Sequence, residues 1–342
     1  MAMPRLKPNI AGSNAAARFA LFWLLMVAVH GAQGQRQAEN WYFGNHAGLN
    51  FASGSPVVLT NSAMNTGEGC STISDANGNL LFYSDGSTVW NKHHLVMENG
   101  TGLLGNSSST QSCIAIPKPG STHLYYLFTA PQYMENVNRG MYYSLIDMNL
   151  MAGDGAIVPT EKNIMLMDSS TERITAVKHA NNTDIWVIAH KRSNDQFYAW
   201  LVTSIGISTP IVSETGAMHT IPGDYTGCMK ASPDGTRIAC VLNNTQQITQ
   251  VFEFNNITGE LNNPITLPGQ LPYGVEFSPN SKLLYVSHEI TLGQIFQYNL
   301  EAGDETTIIN SRILIAQLTN VPYFGAMQVA VYGVLYIARS QT

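Results

Sequence analysis

Charge is scarce in this chain: Asp, Glu, Lys and Arg make up only 12% of its 342 residues. The 17 Lys and Arg residues form no cluster, which argues against nucleic acid and anionic membrane as partners, because both require a dense basic patch. Cysteine is scarce too. Cys70, Cys113, Cys228 and Cys240 show no CxxC and no Cys/His spacing, so they give no sign of a metal site. There is no GxSxG elbow, no GxxxxGK phosphate loop and no HExxH helix, so the sequence offers no catalytic motif and implies no cofactor. After residue 34 no stretch has a long helical period. That leaves strands.

The stretch TGCMKASPDGTRIACV, residues 226–241, reads as strand, tight turn, strand. Ser232-Pro233-Asp234-Gly235 has type I turn composition, with Pro presetting φ at the second position and Gly closing the turn. Its flanks are apolar enough to be buried on both faces. The same hairpin recurs at 68–85, 111–129, 174–191, 273–289 and 324–340. Its turn residues Gly78, Gly120, Asn182, Gly235, Ser281 and Gly333 are 42, 62, 53, 46 and 52 residues apart. A period of about 50 residues with several short strands in each is the mark of a β-propeller blade array. Further strand-like runs at 87–92, 140–147, 196–203, 249–254 and 293–299 supply outer strands. The expected fold is therefore all-β, a propeller with six visible hairpin repeats.

Residues 1–34 read as a signal peptide. Arg5, Lys7 and Arg18 form a basic start, 19–29 (FALFWLLMVAV) an apolar run too short for an ordinary span, and Ala32-Gln33-Gly34 a cleavage site. The alternative is an N-terminal membrane anchor. With the segment removed the net charge moves from −6 to −9, and residues 35–342 form the propeller domain. In an exported chain the cysteines could pair, Cys228 with Cys240 across one hairpin and Cys70 with Cys113 between adjacent blades. The competing expectation is that all four are small buried apolar residues. The five Asn-x-Ser/Thr triplets carry no weight in so Asn-rich a chain.

At Trp41-Tyr42-Phe43-Gly44-Asn45, at 68–92 (EGCSTISDANGNLLFYSDGSTVWNK), and at 99–112, 176–181, 187–190 and 229–235 the sequence resembles a known group. It is similar to the N-terminal β-propeller region of large secreted surface proteins of Bacteroidetes, which are type IX secretion substrates. The resemblance implies a secreted or surface-displayed propeller of about seven blades and brings no catalytic residues with it. YGVEFSPNSKLLYVSHE, residues 273–289, is similar to YVTN/lactonase-like repeats, a likeness confined to the hairpin. Against that pattern the sixth repeat departs, since Val331-Tyr332-Gly333 replaces Pro-Asp-Gly, and the propeller is expected to be incomplete at its C-terminus. Residues 40–60 are expected either to dock on the last hairpin and close the ring, or to leave bare edges that favour self-association.

Polar residues on or beside first strands are Glu68, Lys178, His179, Lys230 and Glu276. They are expected at the channel mouth, as a binding set or as mutually paired charges. His190 and His288 end equivalent second strands and are candidates for a base, against the reading that they are repeat-derived structural residues. The expected function is a secreted or cell-surface, non-catalytic binding or scaffold module for a protein or glycan, with no membrane span after cleavage. The rivals are a lactonase- or glycan-lyase-like enzyme and an inactive fragment.

Overall fold

A computed structural model describes residues 36–134, 137, 139–289, 293–318 and 323–339. The expected signal peptide lies outside the described residues. Among those described, no helix is long and apolar enough to cross a membrane.

The chain is nearly all-β, and six sheets built on the repeat hairpin form a six-bladed propeller arrangement. Blade 1 is Ser71–Ser74, Leu80–Ser84 and Val89–Asn91. Blade 2 is Cys113–Pro117, Leu124–Thr129 and Met141–Asp147, with Ala156–Ile157 and Ile164–Met167 both paired to its third strand. Blade 3 is Ser170–Lys178, Ile185–Lys191, Gln196–Val202 and Ile211–Glu214. Blade 4 is Met229–Ala231, Arg237–Leu242, Ile248–Asn255 and Glu260–Pro268. Blade 5 is Pro272–Phe277, Leu283–His288, Gln294–Asn299 and Ile313–Gln317, with the short helix Glu305–Asn310 before its last strand. Blade 6 is the hairpin Phe324–Val329 and Leu335–Arg339.

The turns explain the period. In five of the six, the fourth residue donates to the carbonyl of the first and takes positive φ: Gly78, Asn182, Gly235, Ser281 and Gly333. Gly or a short polar residue is what that conformation admits. The hairpin at 118–121 instead places Gly120 third, with φ +76, and closes with Ser121; this is type II geometry. Gly333 makes the turn despite the missing Pro-Asp, because one residue with φ +83 suffices. In the 232–235 turn Asp234 Oδ1 accepts from Ser232 Oγ, Thr236 N and Thr236 Oγ1. Replacing Pro233-Asp234-Gly235 by Val-Tyr-Val is expected to cost about 1–3 kcal/mol, since it puts a β-branched residue at positive φ and removes those bonds. Urea midpoints coinciding with the parent's would contradict the assignment.

The core is divided among the blade interfaces. Phe82, Leu127 and Ile146 fill the space between blades 1 and 2, and Phe128, Ile174 and Trp200 that between blades 2 and 3. Trp186, Ile238 and Phe252 join blades 3 and 4, and Val251, Phe277 and Tyr298 join blades 4 and 5. Burial of both blade faces is why the second strands read as unbroken apolar runs. It also decides the cysteines. Cys228 packs in the 4–5 interface and Cys240 in the 3–4 interface, on opposite faces of blade 4. All four thiols are free.

Residues 40–60 complete no other sheet. They form their own, Asn40–Phe43, Ala47–Asn50 and Val57–Leu59. On one side this sheet packs on blade 1 through Tyr42, Met64 and Tyr83. On the other it meets blade 6 through aromatic rings: Trp41–Tyr336 at 5.7 Å, Phe51–Tyr332 at 5.7 Å and Phe51–Tyr336 at 5.4 Å. Among the described residues no backbone ladder joins the two.

Candidate functional site

Glu68, Thr110 and Thr226 each stand three residues before the first strand of their blade. Glu172 and Tyr273 lie at the start of the corresponding strands in blades 3 and 5. Tyr133, Asn243 and Glu289 follow second strands, at the same end of the ring. Five consecutive blades thus deliver these side chains to one mouth of the channel, where they line a cavity of about 250 Å³.

Next to Thr110 in the chain stands a glutamine that bridges blades. Gln111 reaches past blade 3 to blade 4, its Nε2 donating to Met229 O (3.0 Å) and its Oε1 accepting from Met229 N (2.8 Å). This side-chain amide imitates a strand neighbour and ties the segment that carries Thr110 to blade 4. Glu172 is almost wholly buried and its carboxylate is tied to blade 2. It accepts from Thr110 N (2.7 Å), Thr110 Oγ1 (2.6 Å) and Tyr133 N (2.7 Å).

The walls are acidic, and among the described residues no Lys, Arg or His lines them. Burial, with Glu172 and Glu289 adding repulsion, pushes the Glu68 carboxyl up to about 7. Glu68 is nevertheless an exposed residue, so water screens much of that effect. Burial also raises Glu172, against the pull of its hydrogen bonds and of Arg173. Glu289 is raised by burial too, opposed by its bond from Asn243. The phenol of Tyr273 is held well above its ordinary value by burial and by Glu68. Among the described residues, no group of His, Cys, Asp and Glu is placed to hold a metal ion.

The other residues expected at the mouth lie elsewhere. Lys230 and Glu276 are ion-paired at 3.1 Å along the channel wall, and Lys230 also donates to Gln328 of blade 6 at 2.6 Å. Lys178 and His179 sit at the opposite end of the blade 3 strand, where His179 Nδ1 accepts from Asn181 N within the turn. His190 and His288 are buried between blades rather than at the mouth. Each packs on an aromatic of the following strand, Phe197 at 4.5 Å and Phe296 at 4.9 Å, as equivalent repeat positions do. Burial lowers His190 to about 3, with Arg173 adding, and His288 to about 4, with Arg312 adding.

Of the expected set, Glu68 alone lines the cavity. Glu172, Tyr273 and Glu289 were not singled out: Glu172 and Tyr273 lie within first strands and Glu289 just after a second strand, so no shared offset from Glu68 marks them.

Neither a protein-family model nor a curated protein matches the sequence. Solved structures do match in fold. A protein from Lactobacillus plantarum is similar over 86% of this chain and 85% of its own, at 12% identity and a TM-score of 0.52. The β-propeller domain of Cps50 (Swd1) from Myceliophteria thermophila is similar over 86% and 87%, at 10% identity and a TM-score of 0.49. The periplasmic gluconolactonase of Pseudomonas aeruginosa is similar over 75% and 73%, at 11% identity and a TM-score of 0.47. At such identities the likeness concerns the fold and assigns no chemistry.

Proposed function

We propose that this is a secreted or cell-surface propeller that binds a hydroxyl-rich ligand, the end of a glycan, at the channel mouth without turning it over. The observation behind this reading is the cavity itself, lined by carboxylates, two asparagine amides, hydroxyls and two tyrosines. Such groups supply the directional hydrogen bonds and the ring surface that a sugar uses. The one hydroxyl–carboxylate pair described in the lining, Thr110 with Glu172, is spent on holding the wall together, and both candidate histidines are buried away from the cavity.

One observation favours an enzyme of lactonase or glycan-lyase type: Glu68, pushed up to about 7, stands beside other carboxyls, as a general acid does. Calorimetric titration with oligosaccharides, run beside lactone and glycan turnover assays, separates the two readings. The expected result is saturable binding weakened about 5- to 20-fold by Glu68→Gln, with no turnover. Turnover abolished by the same substitution would replace the binding reading with the enzymatic one.

A further inference from the structure

Behind the cavity wall lies a cluster of buried ionisable groups that the binding reading does not use. The rings of His190 and His219 are stacked, with centroids 3.5 Å apart and planes 14° apart. Both residues are buried, and neither nitrogen of His190 has a hydrogen-bond partner among the described residues. Phe197 closes the free side of His190 edge-on. Beside the stack lies Arg173, fully buried, whose Nη1 is 3.3 Å from His219 Nδ1. An arginine only donates, so His219 Nδ1 is the acceptor and carries no proton.

Arg173 also holds the cavity. Its Nη2 donates to the backbone carbonyls of Asp224 (2.8 Å) and Thr226, and to that of Val241 in blade 4. Residues 223–226 form one wall of the cavity through Gly223 and Thr226. The ring of Tyr225 is covered by the guanidinium of Arg192 at 5.2 Å, and Ser193 N donates to His219 O. The wall, the guanidinium and the stacked rings therefore form one connected unit.

We propose that the His190–His219 stack is an acid-sensitive latch on this cavity: a proton added at His219 Nδ1 breaks its hydrogen bond with Arg173 and releases the 223–226 wall. With Nδ1 protonated, two cationic donors would face each other at 3.3 Å with no water between them. The charged groups around the latch are few. Arg173 faces both rings, while Glu172, Asp224, Cys228 and Cys240 surround Arg173. None of the acidic ones is hydrogen-bonded to either imidazole among the described residues, so no counter-ion is in place for a protonated ring. Burial and Arg173 lower both histidines, so proton uptake is coupled to opening. The latch depends on the geometry of the wall and not on what the cavity binds.

Amide hydrogen exchange of a peptide covering 219–228, corrected for intrinsic rate, tests this between pH 7.5 and 4.5 on the full chain. Below about pH 6.5 each histidine that titrates only when the wall is open increases the opening constant about tenfold per pH unit, so two give up to about 100-fold. The Arg237–Leu242 strand is expected to stay protected over the same range. His219→Asn keeps a neutral acceptor near the place of Nδ1 and, with His190 the one titrating ring left in the stack, should reduce the slope for 219–228 to at most about tenfold per pH unit. Flat exchange in the wild type, an unchanged slope in His219→Asn, or loss of the Arg237–Leu242 strand in step would each overturn the latch. If His219→Asn does not fold, His190→Phe decides. It removes one titrating ring, keeps the Arg173–His219 bond, and must reduce the slope to about tenfold per unit.

Discussion

Arg173→Met is expected to lower the unfolding free energy by about 3–5 kcal/mol, among the largest losses any single substitution here should cause. The side chain is wholly buried, and one of its nitrogens serves carbonyls of Asp224, Thr226 and Val241. Methionine fills similar volume but donates nothing, so three carbonyls and His219 Nδ1 lose their donor in a site that water does not reach. Each orphaned buried acceptor costs about 1–3 kcal/mol, partly relieved by local movement. Removing a buried cation also returns its desolvation cost, so the sum is less than four full penalties. Arg173→Lys should recover little, because an ammonium cannot span the same acceptors from one planar fork. Chemical denaturation of the three proteins measures this. A Met variant within about 1 kcal/mol of the parent would mean that Arg173 does not tie blade 3 to the wall.

Gly69→Ala is expected to cost about 3 kcal/mol or more, whereas Gly67→Ala, two residues earlier, should stay within about 0.5 kcal/mol of the parent. A Cβ on Gly69 would lie 2.2 Å from Ser112 N, 2.8 Å from Gln111 Cα and 2.8 Å from Ser109 O. All three are backbone atoms, so no side chain can swing aside. A Cβ on Gly67 meets nothing within 4 Å. Neither glycine has positive φ, so the contrast isolates crowding from backbone conformation. The crowding falls on the stretch that carries Thr110, so Gly69→Ala should loosen the cavity lining as well as the fold. Thermal melts of both variants provide the comparison. Equal melting temperatures would show that blades 1 and 2 do not approach as closely as described.

The hairpins were legible because a turn is local chemistry: four residues and one positive φ announce each blade. The blade count needed only the distance between turns. The cavity was much less legible, because its walls come from loops as far apart as Glu68 and Glu289 and meet only when the ring forms. Position three before a first strand would have been a usable guide, since Glu68, Thr110 and Thr226 share it, but a single copy looks like any loop residue. His190 and His288 were open to two readings for the reason that makes repeats visible. They are equivalent, and equivalence in a repeat reports packing. The partnership of His190 with His219 has no counterpart in the repeat pattern at all. The cysteines were ambiguous because residues near each other across a hairpin can still face opposite ways, and alternation sends Cys228 and Cys240 into different cores.

Because each core is shared by two neighbouring sheets, no blade owns enough buried surface to persist alone, and the domain behaves as a necklace of nearest-neighbour couplings. Cutting an open necklace anywhere yields two shorter ones, whereas a closed one must fail twice before a piece is lost. The clasp is where the N-terminal sheet meets blade 6, and it consists of Trp41, Phe51, Tyr332 and Tyr336 in edge-to-face contact. Ring contacts give way side chain by side chain, without the all-or-none rupture of a hydrogen-bonded ladder. The clasp is therefore where this ring is expected to open first, and the far side, where blades 3 and 4 meet, is where it should open last.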